Sequence, residues 1–172
     1  MAYNQKLLLY LSRMSEVYPI GYTKYAPGTM ASFIAVIIGY FLLINLDLKF
    51  YLIFLIFFLV LSYILCEAHI KLYNRKDPKE VVVDEFSGQF IAILACVQSE
   101  KINYVFLSLI SSFILFRFFD ITKIGIIKKI ENLPNGIGIM ADDIVAGLFA
   151  FIIQAAILTS FNQPIIIDKL WN

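Results

Sequence analysis

The chain has 172 residues, which is enough for one domain but hardly for two. Hydrophobic residues make up 60% of it and charged residues 16%, and its mean hydropathy is +0.81. A soluble domain has about 25% charged residues, so this composition is that of a membrane protein. The formal net charge of +1 excludes a nucleic-acid-binding protein that relies on bulk positive charge. We therefore expect one membrane-embedded domain over residues 1–172.

The N-terminal segment, residues 1–20, holds a short apolar run between Lys6 and Arg13. This run is too short to cross a bilayer, which takes about 20 residues of helix. It also lacks the small-residue cleavage site that ends a signal peptide. We expect the segment to form an interfacial helix that lies on the membrane surface.

Four uncharged apolar stretches follow and predict membrane-spanning helices. They are residues 25–46, 50–66, 102–116 and 144–167. A span needs roughly 17–25 residues, and all but the third of these stretches reach that length. The third is flanked by Lys101 and Arg117, whose long side chains can reach the membrane interface from within.

A fifth apolar stretch, residues 86–99, fits a short span, a re-entrant segment or a buried helix. Basic residues favour the first of these, because they are enriched in cytoplasmic loops. Basic residues cluster at three places: before the first span, after the second span and after residues 102–116. All three clusters lie on the cytoplasmic side only if residues 86–99 cross the membrane. The residues are Lys6, Arg13, Lys24, Lys71, Arg75, Lys76, Lys79, Lys123, Lys128 and Lys129. We expect an all-α bundle of four clear apolar helices plus one short helix, making five passes with the N-terminus inside.

Two pairs of adjacent acids, Asp84-Glu85 and Asp142-Asp143, stand beside apolar segments. A carboxylate in hydrocarbon costs roughly 2.5–3.5 kcal/mol on insertion scales, so such groups persist mainly where they bind or react. Attraction to the positive end of a helix explains one acid per helix more easily than two. Two converging pairs would instead form an all-oxygen cage suited to Mg²⁺. On these residues alone both interpretations stay open.

Arg117, Asp120 and Lys123 recur at intervals of three residues, which keeps them on one side of a helix. A guanidinium and an ammonium together suit a phosphate, with the carboxylate orienting them or joining a metal site. The alternative is a local ion pair whose cations reach for the membrane interface.

Two glycine-containing segments could approach an anion. Gly28 and Thr29 open the first span, where free N–H groups of a helix N-terminus attract anions. Thr29 or Ser32 could equally cap an ordinary turn. Gly136 and Gly138 precede the second acid pair, and glycine can adopt positive φ and approach a ligand closely.

The position of the acids separates two classes of function. A small ion-coupled transporter would use acids within its spans to relay ions. Residues 50–66 and 144–167 contain no acid between their ends, whereas acids gather where spans begin or end. The pattern favours a reaction site at the membrane surface, with the transporter as the alternative.

Four blocks in order resemble the phosphatidylglycerophosphatase A family of bacteria. They are Ala26-Pro27-Gly28-Thr29 with Ser32, Val83-Asp84-Glu85-Phe86 with Gly88, Phe116-Arg117-Phe118-Phe119-Asp120-Ile121 with Lys123, and Gly136-Ile137-Gly138-Ile139-Met140 with Asp142-Asp143 and Ala146-Gly147. The chain departs from the family where two prolines usually follow the lysine, since Ile124-Gly125-Ile126 stands there, and where Ala31 replaces a common glycine.

The resemblance implies a Mg²⁺-dependent phosphatase that converts phosphatidylglycerophosphate, a phospholipid in the bilayer, to phosphatidylglycerol. Together with the predicted spans and the placement of basic residues, it predicts a multi-pass protein of the bacterial inner membrane with its site facing the cytoplasm. Combined with the residue chemistry, it gives three expected sets of site residues. The metal ligands are Asp84, Glu85, Asp142 and Asp143; the phosphate-binding residues are Gly28, Thr29, Arg117, Lys123 and Gly138; the catalytic residues are Asp84, Asp120, Asp142, Arg117 and Lys123.

Overall fold

A computed structural model describes residues 2–75, 78–96 and 102–161, and every regular element within these ranges is helical. The helices are α1 (Ala2–Ser15), α2 (Pro27–Asn45), α3 (Leu48–Tyr73), α4 (Val83–Ala92), α5 (Ile102–Thr122), α6 (Ile126–Ile130) and α7 (Gly136–Ser160), with 3₁₀ turns at Ile20–Tyr22 and Ile93–Ala95. The prediction of an all-α fold is confirmed. Lys76, Lys101 and residues 97–99 and 162–167 of the predicted stretches lie outside the described residues.

Four helices, α2, α3, α5 and α7, have the length and composition to cross a membrane. The shortest candidate spans have 19 residues, which at 1.5 Å per residue is close to the roughly 30 Å of a hydrocarbon core. Their exposed surfaces are apolar, with residues such as Phe33, Ile53, Phe57, Phe106 and Ile152 more than half accessible. The chain is therefore a multi-pass membrane protein, as its hydropathy predicts.

The short helix α4 is enclosed by the four long helices. Its 10 residues reach about 15 Å, half the thickness of the hydrocarbon core, and from Phe86 to Ala92 every residue is buried. Non-helical backbone at membrane depth is tolerated where protein surrounds it. The 3₁₀ turn that follows α4 fits this rule, because Ile93, Leu94 and Ala95 are also buried.

The fifth predicted pass runs through this enclosed helix. The ends of α3 and α5 meet the starts of α2 and α7, because Arg117 contacts Ser32 and the Gly136 N–H donates to Glu67. The helix α4 begins at this same end, whereas α5 begins at the opposite end. Between them the chain therefore changes ends, and Cys96 already lies 3.7 Å from the Ser108 carbonyl near the start of α5. A fifth crossing of the bilayer stays a prediction, and its described part, α4 with the 3₁₀ turn, is sheltered from lipid by the four long helices.

Glycine brings α4 and α7 into backbone contact. A Cβ on Gly147 would collide with the backbone of Gly88, and a Cβ on Gly88 would collide with the Asp143 carbonyl and the Phe116 ring. Small residues allow such close helix packing in membranes. Gly88 and Gly147 each lie one helical turn beyond an acid pair, so the contact places the two pairs side by side.

Buried polar side chains tie α4 to its neighbours below the acid pairs. Gln89 donates to the Ser112 hydroxyl at 3.1 Å, and Ser87 donates to the Ser62 hydroxyl at 3.0 Å. The Tyr51 hydroxyl donates to the Phe90 carbonyl at 2.9 Å. In hydrocarbon no water can replace these partners, so the hydrogen bonds fix the position of α4 within the bundle.

The N-terminal helix α1 packs along the second half of α3. The side chains of Ser12 and His69 form a buried hydrogen bond with Oγ and Nδ1 2.9 Å apart. The Val82 N–H donates to the Ser15 carbonyl at 3.1 Å, which connects α1 to the start of α4. His69 thus helps to join α3 to α1, while the position of α1 on a membrane surface stays a prediction.

We expect Gly88→Ala to destabilise the protein by about 1–3 kcal/mol, because the added methyl group overpacks a backbone contact. Both cysteines are free and buried, so the temperature at which a thiol-reactive dye labels the detergent-solubilised protein reports unfolding. Leu148→Ala, on the exposed side of α7 next to Gly147, is the matched control and should have little effect. Equal unfolding temperatures for Gly88→Ala and wild type would contradict the packing account.

Candidate active site

A cavity of about 300 Å³ opens where α2, α4 and α7 begin and α5 ends. It gathers most of the charged residues that the sequence predicts for the site, although they are up to 59 positions apart in the chain. Its walls are formed by Ala26, Pro27, Gly28, Pro78, Lys79, Val81, Asp84, Glu85, Arg117, Asp120, Ile121, Lys123, Ile139, Asp142 and Asp143.

Three carboxylates converge on one side of the cavity. Asp84 and Glu85 lie in the first turn of α4, and Asp143 lies in the second turn of α7. One oxygen from each lies within 4.8 Å of the other two. Glu85 Oε2 and Asp143 Oδ1 are buried without a hydrogen-bond partner. Buried carboxylates this close repel one another. A positive partner would relieve that repulsion, and in the described part of the chain no Lys or Arg ion pair satisfies these two oxygens.

A divalent cation fits this cluster of Asp84, Glu85 and Asp143, which we call the acid cluster. All its donor atoms are carboxylate oxygens, the ligands that Mg²⁺ and Mn²⁺ prefer over softer metals. A cation bound to the two unpartnered oxygens would neutralise buried negative charge there. Within the described ranges, no histidine or cysteine joins the group.

Arg117 presents its guanidinium to the other side of the cavity. Its Nη1 lies 2.5 Å from Asp120 Oδ2 and 3.3 Å from Ser32 Oγ, and Ser32 donates in turn to the Gly28 carbonyl. The Nε–H of Arg117 is buried and has no partner. The guanidinium is thus held in place while keeping a donor free for an anion.

Lys123 is held by two acids rather than standing free. It follows the end of α5 with φ 45°, and its Nζ lies 2.7 Å from Asp142 Oδ2 and 2.8 Å from Glu131 Oε1. Partial burial lowers the pKa of this ammonium, but the hydrogen bonds to Asp142 and Glu131 outweigh burial and raise the pKa above its ordinary value. Asp142 therefore faces an ammonium and lies outside the acid cluster.

Glu131 is the site residue that the sequence analysis missed. It lies eight positions after Lys123, beyond α6, and no local periodicity links the two residues. The one signal in the sequence is that Glu131 is an acid that closely follows two lysines, Lys128 and Lys129.

The start of α2 differs from the predicted capped turn. The helix begins at Pro27, after Ala26 in the left-handed conformation, and neither Thr29 nor Ser32 caps it. Gly28 lines the cavity, and a Cβ there would meet Glu85 Oε1, so a larger residue would force the Glu85 side chain to move. Thr29 lies next to the cavity lining but is not part of it.

The glycines before Asp142, which could have adopted positive φ, are in fact helical. The helix α7 already begins at Gly136, so Asp142 and Asp143 lie in its second turn and not at its start. Gly138 is outside the cavity lining, and a Cβ on it would collide with the carbonyls of Leu133 and Glu131. Because Gly138 has no side chain, the loop at Glu131 and Leu133 can pack directly against α7. We therefore do not include Gly138 in the proposed phosphate site.

Comparison with known proteins identifies relatives along most of the chain. The family model described as phosphatidylglycerophosphatase A matches residues 13–158. Phosphatidylglycerophosphatase A of Haemophilus influenzae is 39% identical over 133 residues, covering 77% of this chain and 78% of that protein. The Escherichia coli protein of the same name is 31% identical over 131 residues, covering 76% and 73%.

A third relative carries a different name. A candidate phosphatidylinositol-3-phosphatase of Bacteroides thetaiotaomicron is 35% identical over 138 residues, covering 78% of this chain and 85% of that protein. No solved structure matches the chain.

We expect Asp143→Asn to weaken Mn²⁺ binding by at least about tenfold, because it removes one of the three anionic ligands. Loss of the free Mn²⁺ signal in electron paramagnetic resonance measures binding to the detergent-solubilised protein directly. Asp47→Asn, at the start of α3 and the opposite end of the bundle, is the matched control. Unchanged affinity in Asp143→Asn would exclude the acid cluster as the cation site.

Proposed function

The chain belongs to the phosphatidylglycerophosphatase A family, and we propose that it hydrolyses the terminal phosphomonoester of phosphatidylglycerophosphate to phosphatidylglycerol and inorganic phosphate. Family membership makes it a phosphoric monoester hydrolase. We propose further that residues 1–172 form a single membrane-embedded phosphatase domain. The observation that supports this reaction best is one cavity that unites unpartnered carboxylate oxygens with an unpartnered guanidinium N–H.

We propose that Asp84, Glu85 and Asp143 hold Mg²⁺. When bound, the cation would neutralise the phosphomonoester and lower the pKa of a coordinated water. The Lys123–Asp142 ion pair adjoins the acid cluster, so we propose that Asp142 positions Lys123 through Oδ2 and, as a metal ligand, would use Oδ1.

Arg117 and Lys123 supply the positive charge of the proposed phosphate site. The guanidinium donates its free Nε–H to a phosphoryl oxygen, while Asp120 and Ser32 keep it oriented. Donors fixed in advance stabilise charge that develops during phosphoryl transfer without further reorganisation. Gly28 lets the start of α2 approach Glu85 closely, and we propose that free N–H groups of this helix N-terminus contribute to phosphate binding.

We propose that this end of the bundle faces the cytoplasm of a bacterium, at its inner membrane. Basic residues are enriched at the cytoplasmic ends of membrane proteins. Lys24, Arg75, Lys79, Lys128 and Lys129 all lie in the connections at the site end, whereas Lys49 lies at the opposite end. The headgroup would then reach the cavity from the cytoplasmic leaflet while the acyl chains stay in the bilayer.

Phosphatidylinositol 3-phosphate is a second candidate substrate, because one relative is named for that activity. Both lipids carry a phosphomonoester on a polyol, so the same acids and guanidinium would serve either. The ion-coupled transporter is not favoured. Within the described parts of α2, α3, α5 and α7, ionisable acids and bases lie near the helix ends, and no carboxylate continues a relay through the middle.

The direct test is phosphate release from each lipid in detergent micelles, with Mg²⁺ and with EDTA. We expect release from phosphatidylglycerophosphate that EDTA stops and Mg²⁺ restores. Asp84→Asn should lower kcat by about 10²-fold or more, since it weakens charge stabilisation at the reacting phosphate, while Asp47→Asn should match wild type. Release that survives EDTA would refute the metal proposal. Release from phosphatidylinositol 3-phosphate alone would replace the proposed substrate.

A further inference from the structure

A second cavity of about 320 Å³ adjoins the active-site cavity. The two share Ile139 and Asp142 in their walls. The second cavity extends away from the acid cluster toward the connection between α6 and α7. It is lined by Lys128, Glu131, Asn132, Leu133, Asn135, Ile139 and Asp142.

An ion-pair network of one lysine and two carboxylates forms the boundary between the two cavities. Lys123 lines the first cavity, Glu131 lines the second, and Asp142 lines both. The Lys123 ammonium contacts both carboxylates, at 2.8 Å and 2.7 Å. Because Lys123 offsets one of the two carboxylates, the boundary repels a ligand with negative charge at both ends less than two unpaired acids would.

Local hydrogen bonds fix the loop that lines the second cavity. The Asn132 amide donates to the Lys128 carbonyl at 2.9 Å, and the Leu133 N–H donates to the Ile130 carbonyl at 2.9 Å. Gly138 permits close approach of α7 to this loop. The walls are therefore preformed, which lowers the entropic cost of binding.

The lining has the chemistry of a polyol phosphate site. Lys128 offers an ammonium, Asn132 and Asn135 offer amides, and Leu133 and Ile139 offer apolar walls for carbon atoms. In the proposed substrate, a glycerol unit connects the phosphomonoester to a phosphodiester, and in the inositol lipid a ring does so. Both have a second anion a few bonds away from the reacting phosphate.

We propose that the second cavity binds the polyol and phosphodiester of the lipid headgroup, and that Lys128 contacts the phosphodiester. This inference rests on the proposed function, because it takes the phosphomonoester to occupy the first cavity. The second cavity would then select lipids whose phosphomonoester and phosphodiester are separated by a hydroxyl-bearing linker. Its size and shape, rather than the acid cluster, would decide between glycerol and inositol.

The test compares Lys128→Ala with Lys129→Ala. These neighbours have the same charge and both are exposed, but only Lys128 lines the cavity. We expect Lys128→Ala to raise KM for the preferred lipid about three- to tenfold with little change in kcat, as for loss of one partly exposed charged contact. Lys129→Ala should leave both constants unchanged.

Two soluble inhibitors separate the cavities. Inorganic phosphate probes the first cavity alone, and glycerophosphoglycerol, the deacylated product, probes the second. We expect Lys128→Ala to weaken inhibition by glycerophosphoglycerol, or by glycerophosphoinositol if the inositol lipid is preferred, by the same factor as KM. Inhibition by phosphate should not change.

Equal effects of the two lysine substitutions would overturn the subsite, because they would indicate general attraction to an anionic surface. So would weaker inhibition by phosphate in Lys128→Ala, which would indicate damage to the first cavity. Wild-type protein that hydrolyses neither lipid would overturn the proposed function together with the subsite. Active wild type with unchanged Lys128→Ala would overturn the subsite alone.

Discussion

The backbone contact between α4 and α7 is the constraint on which the rest of the site depends. Gly88 and Gly147 let the two helices touch, and one turn earlier the same contact presses two acid pairs together. Three carboxylates converge there with two oxygens left unpartnered. Buried carboxylates without a positive partner are unfavourable, so the close packing of the two helices also creates a cluster that could bind a metal ion. Stability and activity are thereby coupled through the same glycines.

The charged groups of the site divide into two sets, one of unpaired carboxylates and one of paired cations. Asp84, Glu85 and Asp143 are short of positive charge, whereas Arg117 and Lys123 are already paired with carboxylates. Pairing holds each cation in a fixed position, and the guanidinium keeps an N–H free. An arrangement of this kind would suit a phosphate that bridges the two sets, with the fixed donors on one side of it and a cation, when bound, on the other.

The sequence predicted the spans well because a span is recognised from the hydropathy and length of one continuous segment. The helical bundle, and the gathering of the charged groups at one end of it, follow from the order of these spans. The sequence misjudged the start of α7, because Gly136 and Gly138 disfavour helix by about 1 kcal/mol each and look like a loop. Tertiary contacts override that preference, through Glu67 and through the close-packed loop beside Gly138. Lys123 pairs with Glu131 through a turn that no periodic pattern encodes. The same lysine pairs with Asp142, which therefore lies outside the acid cluster.

Locating the cation tests the central claim most directly. Crystals of the protein grown with Mn²⁺ would give an anomalous difference peak at each bound ion, without reliance on activity. We predict a peak within coordination distance of Asp84, Glu85 and Asp143, with Lys123 still contacting Asp142. A peak held by Asp120 and Asp142 instead, with the acid cluster free of metal, would contradict the account.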